Sequence, residues 1–288
     1  MRKILVASAV ASLFAVPSVV FAQAAAPAAE PASPWSFNVG VVSDYLFRGV
    51  SQTHGGAAIQ GGVDYAHPSG FYVGAWGSNI TWVKDFLGSG SLEVDVYGGY
   101  KNTFGGGDWS YDVGFITYNY PGHGGQRPWL ANPNTQEIYA SLGYKWLSVK
   151  YSHATSSHFI GWYGGAAYDQ RTRGSGYLEL NANYDLGEGW TLVGHVGHQK
   201  VKNYVDTAAL RTADYTDWKL GVTKDIGFGV VGLAYSTTNA KGSCGNPLPA
   251  TDVSSYCWGN NGSQAAAPSS GFRDVAKGTA VLSFVKTF

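Results

Sequence analysis

The chain has 288 residues, among them 40 Gly, 13 Phe, 10 Trp and 19 Tyr, with only 13% charged residues and a formal net charge of zero. Charge this scarce, about half the usual share, would leave a soluble surface poorly solvated, and the neutral balance argues against a nucleic-acid partner. Beyond the N-terminus no run of about 18 apolar residues offers a spanning helix, so the composition points to β-structure meeting two solvents, as in an outer-membrane barrel. The chain opens with a positive pair, Arg2 and Lys3, an apolar run from Ile4 to Val16, a break at Pro17 and small residues ending at Ala22. That is the pattern of a secretory signal peptide over 1–22, too short for a membrane anchor. Residues 23–34, with Pro27, Pro31 and Pro34, read as a flexible leader, which leaves 35–288 for the folded body.

From Trp35 onward, alternation with a period of two recurs, the signature of strands with one polar and one apolar face. Twelve strands are expected, at 36–48, 57–66, 71–80, 91–100, 109–120, 135–145, 147–154, 175–185, 190–200, 215–224, 228–238 and 278–288. Ten such residues rise about 33 Å, enough to cross a bilayer when tilted. Even-numbered strands end in short turns (67–70, 101–108, 146, 186–189, 225–227), whereas odd-numbered strands end in long loops that include 121–134, 155–174, 201–214 and 239–277. Sorting loops by parity is the asymmetry of a transmembrane up-and-down antiparallel barrel, with short periplasmic turns and long extracellular loops. Aromatic pairs flank the short turns, namely Tyr65 with Phe71, Tyr100 with Trp109, Tyr144 with Trp146 and Tyr184 with Trp190. They sit where an interface girdle belongs, although ordinary β-propensity also enriches aromatics. The chain closes on Phe288 after an alternating strand, like the terminal signal that the barrel assembly machinery reads during insertion.

The expected registers place Asp44, Asp64, Glu93, Asp95, Asp112, Glu137, Glu179 and Asp217 on the inner face, with Arg48, Lys150 and Lys219. Each would cost up to several kcal/mol against lipid, whereas inside it can pair or line water. Eight carboxylates against three cations make an acidic lumen, which would favour cations if open and would plug the barrel if ion-paired. Twelve strands do not decide between these, lying between filled barrels and wide channels. His195 falls in the same inward register, while His198 falls outside, so the two cannot share a metal. No metal site, cofactor or catalytic residue is expected. Gly227 to Gly232 matches G-x-G-x-x-G, but the β-branched alternation that follows argues for a turn entering a strand rather than a nucleotide-binding helix. Cys244 and Cys257 lie in one long loop, and in an exported chain they are expected to pair. Closing that loop of about 14 residues would add about 3 kcal/mol; two free thiols are the alternative.

The run Ser43-Asp44-Tyr45-Leu46-Phe47-Arg48-Gly49-Val50-Ser51, the segment Glu93 to Lys101, and Asp214-Tyr215-Thr216-Asp217-Trp218-Lys219-Leu220-Gly221 are similar to the TorF-type porin family, also called the Gcw_chp domain family. The likeness covers about 35–288 and also runs through Gly70 to Asn79, Tyr111 to Gly114 and Glu137 to Tyr139. It implies an outer-membrane barrel of porin type, supplies no solute and carries over no catalytic residues. The leading expectation is a passive channel for small hydrophilic solutes or ions, with outer-membrane lipids around it. A plugged structural or surface-binding barrel is the first alternative. A lipase-like enzyme is the second, weakened because Ser152 and His153 are adjacent and point to opposite faces.

Overall fold

The computed structural model describes residues 33–124, 130–164, 170–204, 213–240, 256–258 and 273–288. The signal peptide over 1–22, nearly all of the leader and Cys244 lie outside the described residues. Twelve strands form the wall: β1 (Trp35–Val42), β2 (Ala58–Ala66), β3 (Phe71–Asn79), β4 (Leu92–Phe104), β5 (Trp109–Asn119), β6 (Thr135–Tyr144), β7 (Leu147–Ala154), β8 (Gly176–Gly187), β9 (Trp190–Lys200), β10 (Tyr215–Asp225), β11 (Val230–Thr238) and β12 (Thr279–Thr287). Each pairs antiparallel with its chain neighbours. The barrel closes where β1 pairs with both β2 and β12, in registers such as Val39 opposite Gly61 and Val41 opposite Phe284. Closure leaves no open strand edge to meet lipid, so the wall's backbone groups are satisfied between strands. Phe37 and Phe288 exchange backbone hydrogen bonds of 3.2 and 2.8 Å just beyond the last strand.

The burial pattern is the reverse of a soluble protein's. Along β6, Thr135, Glu137 and Tyr139 are buried while Gln136, Ile138 and Ala140 are exposed. Around the wall the exposed side chains are large and apolar, with Ile59 at 69%, Leu220 at 64% and Leu282 at 58%. A continuous apolar surface of this kind is stable only against hydrocarbon. No helix among the described residues is long and apolar enough to cross a membrane; the strands do the crossing. At the short-turn end, aromatic rings touch from strand to strand: Trp35 on Tyr65, Phe71 on Tyr100, Trp109 on Tyr144 and Trp146 on Tyr184, with centroids 4.7–5.6 Å apart. Seven of the eight residues of the expected girdle are in these contacts, but each ring meets a member of the next pair rather than its own turn partner, and Trp35 joins them.

Most strand limits agree with expectation to within two residues. β4 is the exception at the short-turn end, because it continues to Phe104 and leaves a turn of only 105–108. The G-x-G-x-x-G stretch is a turn, with Gly227 at a φ of 91°, followed by β11. The large correction concerns the first strand, which ends at Val42 rather than running to residue 48. There a small hairpin forms, Leu46–Phe47 against Val50–Ser51, around Arg48 and Gly49 at φ of 49° and 78°. Two positive φ values make the tight turn that suits a hairpin twist; Gly49 accepts this freely, and Arg48 is held there by its contacts. A strand continuing to residue 48 would have turned Tyr45 and Phe47 outward with Phe37; in the loop they are buried at 2% and 8%.

Candidate functional site: the interior of the barrel

The segment after β1 does not stay near its own wall position. It folds into the barrel and carries Arg48 to the opposite side. The guanidinium donates through Nη1 to Glu137 Oε1 (3.1 Å) and Gln199 Oε1 (2.7 Å), and through Nη2 to Glu137 Oε2 (2.7 Å). Glu137 belongs to β6 and Gln199 to β9, whereas β1 touches only β2 and β12. The loop thus crosses the lumen. Its tip is packed as well as bonded, with Arg48 over the Tyr177 ring at 4.3 Å and the Phe47 ring 5.4 Å from Tyr118. Asp44 sits at the base of the loop and accepts hydrogen bonds from Ser51 (2.6 Å) and Thr53 (3.1 Å). Burial pushes its carboxyl above the ordinary 3.8, although those hydroxyls oppose the shift. Asp44 and Arg48 therefore enter the interior from a loop, not from the wall as the expected register had it.

Five of the wall carboxylates are held by tyrosines. Tyr97 donates to Asp64 at 2.5 Å, Tyr72 to Asp112 at 2.6 Å, Tyr118 to Glu137 at 3.2 Å, Tyr120 to Glu93 at 3.3 Å and Tyr177 to Asp217 at 2.8 Å. Tyr72 and Tyr139 also share a hydrogen bond between their hydroxyls. Glycines clear the way. Asp64, Gly74 and Tyr97 lie in one row across β2, β3 and β4, and a Cβ on Gly74 would fall within 2.6 Å of both the Tyr97 ring and Asp64 Oδ1. Tyr177 reaches Asp217 in the same way over Gly197, whose register partners are Glu179 and Asp217. A residue with a side chain at these glycines would stop the ring from lying along the sheet. These tyrosines, with Gln199, are the residues that reading the sequence missed; the signal available was an inward glycine beside an inward carboxylate.

His195 joins the Asp217 group. Its Nε2 is 2.9 Å from both Tyr177 Oη and Asp217 Oδ2, and its Nδ1 is 2.6 Å from Asn181 Oδ1 and 3.7 Å from Glu179 Oε2. Lys150 stands over the Tyr139 ring at 4.3 Å, and Lys219 pairs in register with His195. Glu93 and Asp95, two residues apart on β4, are 1% and 2% exposed. Each retains one oxygen, Glu93 Oε2 and Asp95 Oδ1, without a hydrogen-bond partner among the described residues.

Above the carboxylates, aromatic side chains cover the loop end. A short helix, α1 (Trp82–Leu87), turns Trp82 and Phe86 inward, where they meet Tyr120 and Trp258 with centroids 4.9–6.1 Å apart. Tyr256 packs against Trp162 and Tyr215 beside them. The space between this cover and the Arg48 loop is a void of about 20 Å³, lined by Phe47, Val50, Phe159 and Trp162 among others, which is about the room one water needs. Cys257 is buried in this cover at the start of a two-residue strand pairing with Arg273–Asp274. Ser152 is buried inside the wall, while His153 lies outside it near Tyr151, so the adjacent pair does not converge.

Closed topology, an apolar exterior and a polar interior define a transmembrane antiparallel β-barrel. The chain belongs to the Gcw_chp family, described as a bacterial protein of unknown function, whose model matches residues 28–257. That match supplies the Gcw_chp name and not the TorF porin name. Among solved structures the chain is similar to the KdgM porin (9% identity, TM-score 0.49, covering 88% of this chain and 99% of that one). It is similar also to the NanC porin (11% identity, TM-score 0.47, covering 88% and 98%). KdgM is also represented in complex with disordered oligogalacturonate (9% identity, TM-score 0.48, covering 88% and 99%). No curated protein matches the sequence.

Proposed function

We propose that the protein is an outer-membrane porin for small hydrophilic solutes or ions, with an acidic interior and a route closed at the loop end by segment 43–57. One observation carries this reading: Arg48, on a loop leaving β1, is bonded to β6 and β9 on the far wall. A barrel built only as a scaffold could fill its interior from wall side chains. Here a loop fills it, joined to the far wall by the hydrogen bonds of Arg48 and by ring contacts of Arg48 and Phe47. Displacing the loop would uncover Glu93, Asp95, Glu137 and Asp217, whose field would concentrate cations. Transport is then passive, without cofactor or catalytic step.

The second reading, a plugged structural or surface-binding barrel, is favoured by the near-complete burial of those same carboxylates. Planar-bilayer recording of the refolded protein separates the two. The wild type is expected to give infrequent discrete steps, and Arg48→Gln more frequent ones. Silence from both proteins would reject the channel and leave the plugged barrel. In the same reading, 1–22 directs export, Phe288 serves the assembly machinery as insertion signal, and Cys244 pairs with Cys257 to tie the last long loop.

A further inference from the structure

The outer wall carries a depression that neither the channel nor its plug uses. It lies on β8–β11, has a volume of about 430 Å³, and is bordered by Leu180, Ala182, Val196, Trp218, Leu220 and Tyr235. Gly194 forms its floor. It is paired with Ala182 on one side and Leu220 on the other, and a Cβ placed there would meet only the Ala182 methyl, at 3.6 Å. The hollow exists because two small residues sit side by side among large ones. Its floor is near mid-wall, Gly194 standing one residue short of the middle of β9 and Leu220 at the middle of β10, and the hollow extends toward the long loops through Val196 and Trp218.

Directly above it the wall changes character. His198, two residues beyond Val196 on the same face and thus about 7 Å higher, is exposed and 3.0 Å from Thr216 Oγ1. One step further, His153, Gly176 and Lys200 form a row across β7, β8 and β9. The middle of that row is open to the Tyr151 hydroxyl, which lies over Gly176. Lys202 adds a second ammonium: a Cβ on Gly174 would stand 3.6 Å from both Lys202 Nζ and His153 Cε1. Arg171 and Arg173 are exposed on the connection just above. Three acidic side chains of this arc are described, two facing the lumen and one at the loop margin. Glu179 and Asp217 face inward on His195, and Asp214 accepts the Val201 amide at 2.7 Å.

We propose that this arc is a specific binding site for a phosphate-bearing, multi-acyl lipid of the outer leaflet, with an acyl chain in the Gly194 hollow and the phosphate between His153, His198, Lys200 and Lys202. Depth and charge together select the occupant. The hollow lies within the apolar belt, where only a hydrocarbon chain can fill it, and the cationic cluster stands where the headgroup of that same molecule would begin. Phosphate suits these donors because each charge-assisted hydrogen bond to it is about twice as strong as a neutral one. A soluble anion would use the cluster without the hollow, and a second copy of the barrel would use the hollow without the cluster.

Native mass spectrometry of the detergent-purified protein tests the assignment, with a bis-phosphorylated six-chain glucosamine lipid, its enzymatically dephosphorylated form, and inorganic phosphate as probes. One phosphorylated lipid should bind, about tenfold more tightly than the dephosphorylated form. Lys200→Gln with Lys202→Gln should abolish that preference, and Gly194→Leu, which fills the hollow, should weaken both lipids. Heat-modifiable gel mobility reports whether each variant is folded; if Gly194→Leu is not, the lysine pair decides. Equal binding of the two lipids, full displacement by millimolar phosphate, unchanged binding in the folded variants, or dimers in place of lipid adducts would each overturn the proposal.

Discussion

Arg48→Met tests the loop docking energetically. The substitution keeps most of the side-chain volume but removes all three hydrogen bonds to Glu137 and Gln199, and it leaves a carboxylate that is 1% exposed without its counter-ion. Removing one member of a buried ion pair costs about 3–5 kcal/mol, mostly the penalty of the stranded charge. Tyr118 still donates to Glu137 at 3.2 Å, which places the expected loss toward the lower end of that range. Glu137→Leu strands the guanidinium in the same way. The double variant removes both charges, so it should be less destabilised than the two singles combined by about 2–3 kcal/mol. Urea unfolding of the refolded protein in lipid vesicles, followed by tryptophan fluorescence, gives the four free energies of the cycle. Losses under about 1 kcal/mol for the singles, or an additive double, would mean that Arg48 and Glu137 do not meet, and the docked loop would be refuted.

Gly197→Ala places a methyl where the Tyr177 ring lies. It should cost about 1–3 kcal/mol through the lost Tyr177–Asp217 bond, whereas Gly194→Ala on the open outer face should leave the unfolding midpoint nearly unchanged. In channels opened by Arg48→Gln, reversal potentials in a salt gradient should show cation preference, reduced by adding Glu93→Gln and Asp95→Asn; anion selectivity, or no effect of the added pair, would contradict the acidic-interior reading. Peptide mapping of unreduced protein after thiol alkylation should recover Cys244 and Cys257 joined, and alkylation of both would show them to be separate.

The wall of the barrel was readable from residue order because a strand's faces are set by parity. Once Glu137 is inward, Ile138 must be outward, and one register error would have exposed every charge to lipid. The same rule gave the strand number, the sorting of long and short connections, and the inward placement of His195 beside outward His198. What parity could not reach was the segment 43–51, whose alternation continues that of β1 even though the chain leaves the wall after Val42. Two residues with positive φ, Arg48 and Gly49, reverse it at the hairpin tip inside the lumen, and there Arg48 meets Glu137, Gln199 and Tyr177 of the far side. Those partners are about 90 to 150 residues away in the chain, and no local pattern encodes a contact of that range. The tyrosine–carboxylate bonds belong to the same class, since Tyr97 reaches Asp64 across Gly74 only when three strands are in register. Local alternation therefore determined which face each residue takes, and tertiary closure decided which of the inward groups meet, because hydrogen bonding across a lumen depends on how the barrel closes rather than on sequence neighbours.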